Sequence, residues 1–314
     1  MAAKVGQQSG IENCRISVMI FRGLQNLPLL AAQANGFFAA RGLAVDVGVA
    51  SGSAEVLSGI RDGRFQIVHS TADNAITLVD TAKADVPIVI GGDNGFTHLF
   101  VQPEIGSYAE LRGKTILVDA VDTGFTFHIL EILRLHGVGS DEIEFKVVGA
   151  TVNRLNGLLQ DKAHAAAMLF APFATIAQRA GLRDLGPAVK VAGPYQSTVG
   201  YVVRSWAKAN AENLDQYLAA YIEGQRWAMA PKNKRAAIAL YTGWLEVADD
   251  IALACYNEFQ SCAANDAAID LAGLENVLAM RARHLGRAMQ APRSYLDLAY
   301  YERALSELSR QPGG

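Results

Sequence analysis

Three cysteines in 314 residues are too few to staple a fold of this size. Cys255 and Cys262 share a stretch that reads as one helix, where they would stand roughly 10 Å apart along the axis, beyond disulfide reach. Cys14 is the one partner left that could pair with either, so free and mostly buried thiols are the expectation. Basic charge is equally short. The 28 Lys and Arg stand against 31 Asp and Glu, which removes the cationic footprint that nucleic acid requires. No apolar run is long enough to span a bilayer. The six histidines show no metal spacing: His128 and His136 on one predicted helix would lie roughly 12 Å apart, too far to share an ion. A Gly-x-Ser-x-Gly elbow, a Walker loop and a dinucleotide fingerprint are all missing in context. Gly91-Gly92 follows a strand but lacks the remaining glycines. Neither a metal nor a cofactor is therefore expected. Met1 to Glu12 is polar and has no apolar core of a secretory signal. As written, the chain reads as cytoplasmic, or as periplasmic if a leader precedes it.

What is present is globular. A hydrophobic share of 51% with 19% charged residues fits neither a disordered chain nor a membrane protein. The length favours about two domains, and a chain of this size buries roughly 75% of its unfolded surface without needing staples. From Cys14 to Pro194, short runs rich in Val and Ile alternate with helical spacing. Ile16–Ile20, Leu43–Val49, Phe65–His69 and Val86–Gly91 read as strands. Leu27–Asn35, Ala54–Arg61 and Thr71–Ala82 read as the helices between them. A second set has strands at Thr115–Val118, Glu144–Val148, Ala165–Leu169 and Val189–Ala192. Its helices fall near Gly124–His136, Asn153–Gln160 and Pro172–Ala180. Such βαβ alternation predicts mostly parallel sheets covered by helices. Val199–Arg204 reads as a strand returning to the first set. After Ser205 the chain reads as consecutive helices: Asn210–Met229, Lys234–Leu245, Asp249–Ser261, Asp266–Met289 and Ser294–Leu308.

Two α/β halves without a flexible linker predict an α/β fold of two lobes, 13–98 plus 200–314 and 99–199. Strands should cross between them near Thr97–Gln102 and Tyr195–Tyr201. Ligands of open α/β sheets bind beyond the carboxyl ends of the strands, so the loops after each strand become candidate site segments.

Several segments then resemble a known family. Leu27-Pro28, Ala32-Gln33-Ala34-Asn35-Gly36-Phe37-Phe38 and Gly42-Leu43-Ala44-Val45-Asp46-Val47 resemble the opening of the nitrate/sulfonate/taurine and thiamine-precursor substrate-binding proteins, and of thiamine-pyrimidine-synthase-like proteins. Gly63-Arg64-Phe65-Gln66-Ile67, Leu111-Arg112-Gly113-Lys114-Thr115-Ile116, Ala163-His164-Ala165-Ala166 and Ala171-Pro172-Phe173 follow in the same order. The resemblance covers about residues 15–205. It implies a two-lobed type II periplasmic-binding-protein fold with a C-terminal helical segment. It further implies a small organic or anionic ligand between the lobes, and an ABC-transporter permease as partner. Gln66 and His164 stand where the family often has Asp. The cysteine-rich motif of the pyrimidine synthase is missing, and Asn74 lies near the place of its substrate histidine, so that activity is not expected.

The candidate ligand contacts follow from these loops. Phe21, Arg22, Gln25 and Asn26 lie between the first strand and its helix. Arg22 suits a carboxylate or sulfonate, or is a solvated arginine beside a capped helix. His69, Ser70 and Thr71 close the third strand. Ser70 or Thr71 is a natural N-cap, and His69 is either a titrating pocket contact or a hydrogen-bonded core residue. Asp119, Thr123, Gly124 and Phe125 are their counterparts in the second lobe, where Asp122 or Thr123 caps the helix and leaves its amides available to an anion. Asn153 reads as a further cap and Arg154 as a surface charge. Phe170, Asp93 and Tyr195 complete the set, the last two near the crossings, where polar groups serve either the cleft or the hinge backbone. As an enzyme, a cofactor-free lyase or decarboxylase, the chain would rely on His69 and Asp122. No nucleophile–base pair is evident, so binding is favoured over catalysis, with a ligand-sensing interaction module as a third class.

Overall fold

A computed structural model describes residues 14–310. The polar segment Met1 to Glu12 and the expected start of the first lobe at Asn13 lie outside them. The first sheet contains β1 (Cys14–Ile20), β2 (Leu43–Val49), β3 (Ile67–Thr71), β4 (Ile88–Ile90) and β10 (Thr198–Val202). The second contains β5 (His98–Val101), β6 (Thr115–Val118), β7 (Glu144–Val147), β8 (His164–Leu169) and β9 (Arg183–Pro187). Their strand orders, β2-β1-β3-β10-β4 and β7-β6-β8-β5-β9, repeat one pattern. In each, four strands run one way, and the strand that enters from the other half, β10 or β5, runs against them. The mostly parallel, two-lobed α/β architecture expected from the alternation is therefore present.

The helices follow from apolar spacing. The first lobe carries α1 (Leu27–Ala34), α2 (Ser53–Arg61) and α3 (Ala72–Asp80). The second carries α4 (Gly124–Leu135), α5 (Thr151–Gln160), α6 (Phe173–Arg179) and α7 (Ala188–Ala192). Beyond β10 come α8 (Arg204–Ala209), α9 (Ala211–Met229), α10 (Lys234–Leu245), α11 (Asp249–Cys262), α12 (Leu271–Leu285) and α13 (Ala299–Arg310). Buried Leu214, Tyr217, Leu218, Tyr221 and Ile222 line one side of α9, which lies against α1 over the first sheet. Gly224 makes that approach possible: a Cβ there would sit 2.1 Å from the Pro28 carbonyl oxygen. No described helix is long and apolar enough to cross a membrane. All three cysteines are free, with Cys255 and Cys262 buried.

Three expectations need correction. Val189–Ala192 is helical, not a strand; buried Ala188 and Ala192 stand one helical turn apart, and the strand lies just before it, as β9. The helix expected from Asp266 begins at Leu271, because Asp266 and Ala267 adopt left-handed backbone with φ of 52° and 56°. The chain crosses between sheets at 91–97 and 193–197, earlier than Thr97–Gln102 and Tyr195–Tyr201, since β5 and β10 already belong to the sheets they enter.

Candidate functional site between the lobes

Loops at the strand tips of the two lobes meet. Leu24 and Leu27, just after β1, share an apolar cluster with Phe96, Phe170 and the partly buried Phe125 from beyond β4, β8 and β6. The rings of Phe96 and Phe125 lie 5.0 and 6.3 Å from that of Phe170, within the range of favourable aromatic pairing. On the other side, Asp73 at the start of α3 reaches the start of α4. A Cβ on Gly124 would lie 2.8 Å from Asp73 Cβ and 2.6 Å from Tyr195 Oη. Glycine is thus what allows this contact between lobes.

The C-terminal helices tie the lobes further. Arg281 of α12 pairs with Asp73, both buried, and its guanidinium stacks 5.3 Å over Phe127 of α4. Arg283 reaches Glu131 of α4 at 2.6 Å. From α11, Glu258 accepts the Ala171 N–H at 3.1 Å, and Asp250 pairs with Arg179 of α6.

The structure sorts the candidate residues. Asn26 donates to the carbonyls of Phe21 and Gly23, at 2.7 and 3.1 Å, and Gln25 donates to Phe21 at 3.2 Å; both amides brace the loop after β1. Gln25 Oε1 is buried without a protein partner. Arg22 turns to α10, 3.6 Å from Glu246 and 5.4 Å above the Trp244 ring, so its guanidinium is engaged outside the loop. His69 is a core residue: Nε2 shares a 2.9 Å hydrogen bond with Tyr217 and the ring stacks on Tyr221. Burial pushes its pKa down to about 3, so it stays neutral. Ser70 bonds Tyr201 Oη at 2.9 Å and Thr71 caps α3. Thr123 caps α4 while donating to Asp119 at 2.8 Å. Asp93 accepts the Gly95 N–H at 3.0 Å, and its carbonyl accepts from Ser197 and Gln196. It therefore ties the two crossing segments together, and burial pushes its carboxyl up to about 6. Tyr195 is buried and stacks on His128, whose ring lies 4.5 Å away. The pair named for catalysis is not assembled, since His69 sits in the core and Asp122 is exposed in its loop.

Some residues that shape this region escaped the sequence reading. Arg154 is buried rather than a surface charge. It donates to the carbonyls of Met168 and Gly149 and to Thr151 Oγ1, and lies 5.5 Å over the Phe125 ring. Asn153 caps nothing; its amide donates to the Val148 carbonyl. Asp73, Arg281 and Glu258 carried no local signal, because their partners lie far away in sequence.

Glu258 offers a pH test. Burial pushes its carboxyl up to about 7, against nearby His98 and the Ala171 N–H, which favour the charged form. A carboxyl raised on folding retains its proton when the unfolded chain has lost it. Its share of stability is complete below the unfolded value near 4.5 and falls as pH rises through about 7. Glu258→Gln should therefore gain on the parent by on the order of 1–3 kcal/mol between pH 5 and pH 8, measured by urea unfolding. An unchanged difference across that range would contradict this placement.

Comparisons with known proteins agree with the geometry. A ligand-binding component of an ABC-type import system from Staphylococcus aureus, with zinc bound, superposes with a TM-score of 0.80 at 9% identity, over 93% of this chain and 99% of that one. The periplasmic aliphatic sulphonate-binding protein SsuA from Escherichia coli gives 0.72 at 13%, over 90% and 92%. The desulfurization enzyme DSZB gives 0.69 at 16%, over 94% and 100%. At such identities the likeness is one of fold, the type II periplasmic-binding-protein fold. No curated protein sequence matches the chain. The family model described as NMT1/THI5 like matches residues 24–234, which run from the loop after β1 to the start of α10, so the chain belongs to the NMT1/THI5-like family.

Proposed function

We propose that the chain binds a small organic or anionic solute between its lobes, as the substrate-binding component of an ABC-type importer. The observation that carries this reading is the meeting of the loops after β1 and β3 with those after β6 and β8. In open α/β sheets that position is where ligands sit. The aromatic side chains Phe125 and Phe170 supply an apolar wall. Gln25 Oε1 and Glu258 Oε1, from segments of that apolar cluster, are buried polar atoms without protein partners. Such groups cost about 1–3 kcal/mol each if left unmade, and a few convergent polar groups on an apolar wall are the usual composition of a solute pocket. The ABC-type import component and the sulphonate-binding protein among the structural matches support the transport role and make sulfonates the first solutes to try, and the family resemblance adds nitrate and thiamine precursors. Catalysis by His69 and Asp122 gains no support from where they lie.

Isothermal calorimetry with a panel of alkyl and aryl sulfonates, nitrate, carboxylates, amines and aminopyrimidines tests the reading. One class should saturate at one solute per chain, and Phe125→Ala should weaken that binding at least tenfold. A panel without any saturable heat, or affinity indifferent to Phe125, would reject it.

A further inference from the structure

The start of α4 is where the second lobe should offer its amides to a ligand anion, and the chain has already filled it. Three groups from three distant segments converge there. Asp73 comes from α3 of the first lobe, Arg281 from α12 and the Gly124 amide from α4 itself. Asp73 and Arg281 are each 2% exposed, and their charges are paired. Burial raises the Asp73 carboxyl, against Arg281 and the Gly124 backbone N–H, which favour its charged form, and the carboxyl carbon lies 3.0 Å from where a Gly124 Cβ would be. Arg281 Nε and Tyr195 Oη are buried beside it without protein partners. A guanidinium, a helix amino end and a spare phenol, all buried, form an anion receptor.

We infer that this is an anion-binding site whose occupant is the protein's own Asp73 carboxylate, an internal stand-in for a ligand anion that latches α3 to α4. Its chemical class of ligand is a small carboxylate. The inference rests on the proposed function only for the placement of the gap. The solute taken there then presents no anionic group to the α4 start, because that charge requirement is already met. Latching on this side, moreover, does not depend on solute.

Removing the side chain should turn the receptor into a site for an external carboxylate. Asp73→Gly is compared with the parent by thermal unfolding at pH 7.5, in formate or acetate against chloride at equal ionic strength. The parent should respond identically to the three salts. The variant should melt lower and recover at least half of the loss in formate, saturating with concentration, and Asp73→Gly combined with Arg281→Met should recover nothing. Formate that fails to raise the variant above chloride overturns the inference, as does an equal gain by the parent. If Asp73→Gly does not fold in chloride, Asp73→Ala is used in the same way. If neither folds, refolding in formate decides: folded protein recovered only with carboxylate supports the inference, and none recovered overturns it. Saturable solute binding by the parent together with failed recovery rejects the internal anion alone. Recovery in formate with an inert solute panel retains it and rejects the proposed function.

Discussion

Arg281→Met is expected to lower the free energy of unfolding by about 3–5 kcal/mol, because it leaves the Asp73 carboxylate buried without its counter-charge. The methionine keeps the apolar stem, so little of the loss comes from packing on Phe127. Asp73→Leu in the same chain should restore most of it, since a buried ion pair replaced by apolar side chains of similar volume is often neutral. Urea unfolding of the parent, the single variant and the double variant measures this directly. A single-variant loss below about 1 kcal/mol, the value of an exposed pair, would mean that Asp73 and Arg281 are solvated, and that the lobes are not joined there.

Gly224→Ala should cost about 3 kcal/mol by the same measurement, at the top of the range for overpacking. The added Cβ would meet the Pro28 carbonyl oxygen at 2.1 Å and the Ala32 nitrogen at 2.9 Å. Both are backbone atoms of α1, so no rotamer can relieve the clash, and α9 must move away from α1. Gly243→Ala provides the contrast. It stands inside α10 with nothing within 4 Å of its Cβ position, so helix propensity alone should stabilise the protein by up to about 1 kcal/mol. Equal effects at the two glycines would contradict the close α1–α9 packing.

The fold was readable because its signals are local. Apolar alternation and glycine stops marked β1, β2 and β6, and the Gly36-Phe37-Phe38 turn with the following strand carried the family likeness. Capping was readable for the same reason: Thr71 and Thr123 each accept an amide three residues on. The polar architecture of the gap was not. Asp73 meets Arg281 across 208 residues, and Glu258 meets Ala171 across 87; spacing cannot announce a pair that only the folded topology brings together. His69 shows a subtler limit. Its place in the third strand was evident, yet strand alternation alone does not tell which face of a doubly covered sheet it occupies. Tyr217 and Tyr221 on α9 decide that it belongs to the core. Arg154 misled for a related reason, since a long polar side chain on a helix is usually at the surface. Here the open carbonyls of Gly149 and Met168 hold its guanidinium inside.

Hydrogen exchange read by mass spectrometry, with and without a saturating solute from the calorimetric panel, tests the two-lobed binding account most directly. The amides of Phe21–Asn26 and of Phe170–Phe173 are expected to gain protection together. Protection confined to one lobe, or appearing only at a surface away from both loops, would contradict it.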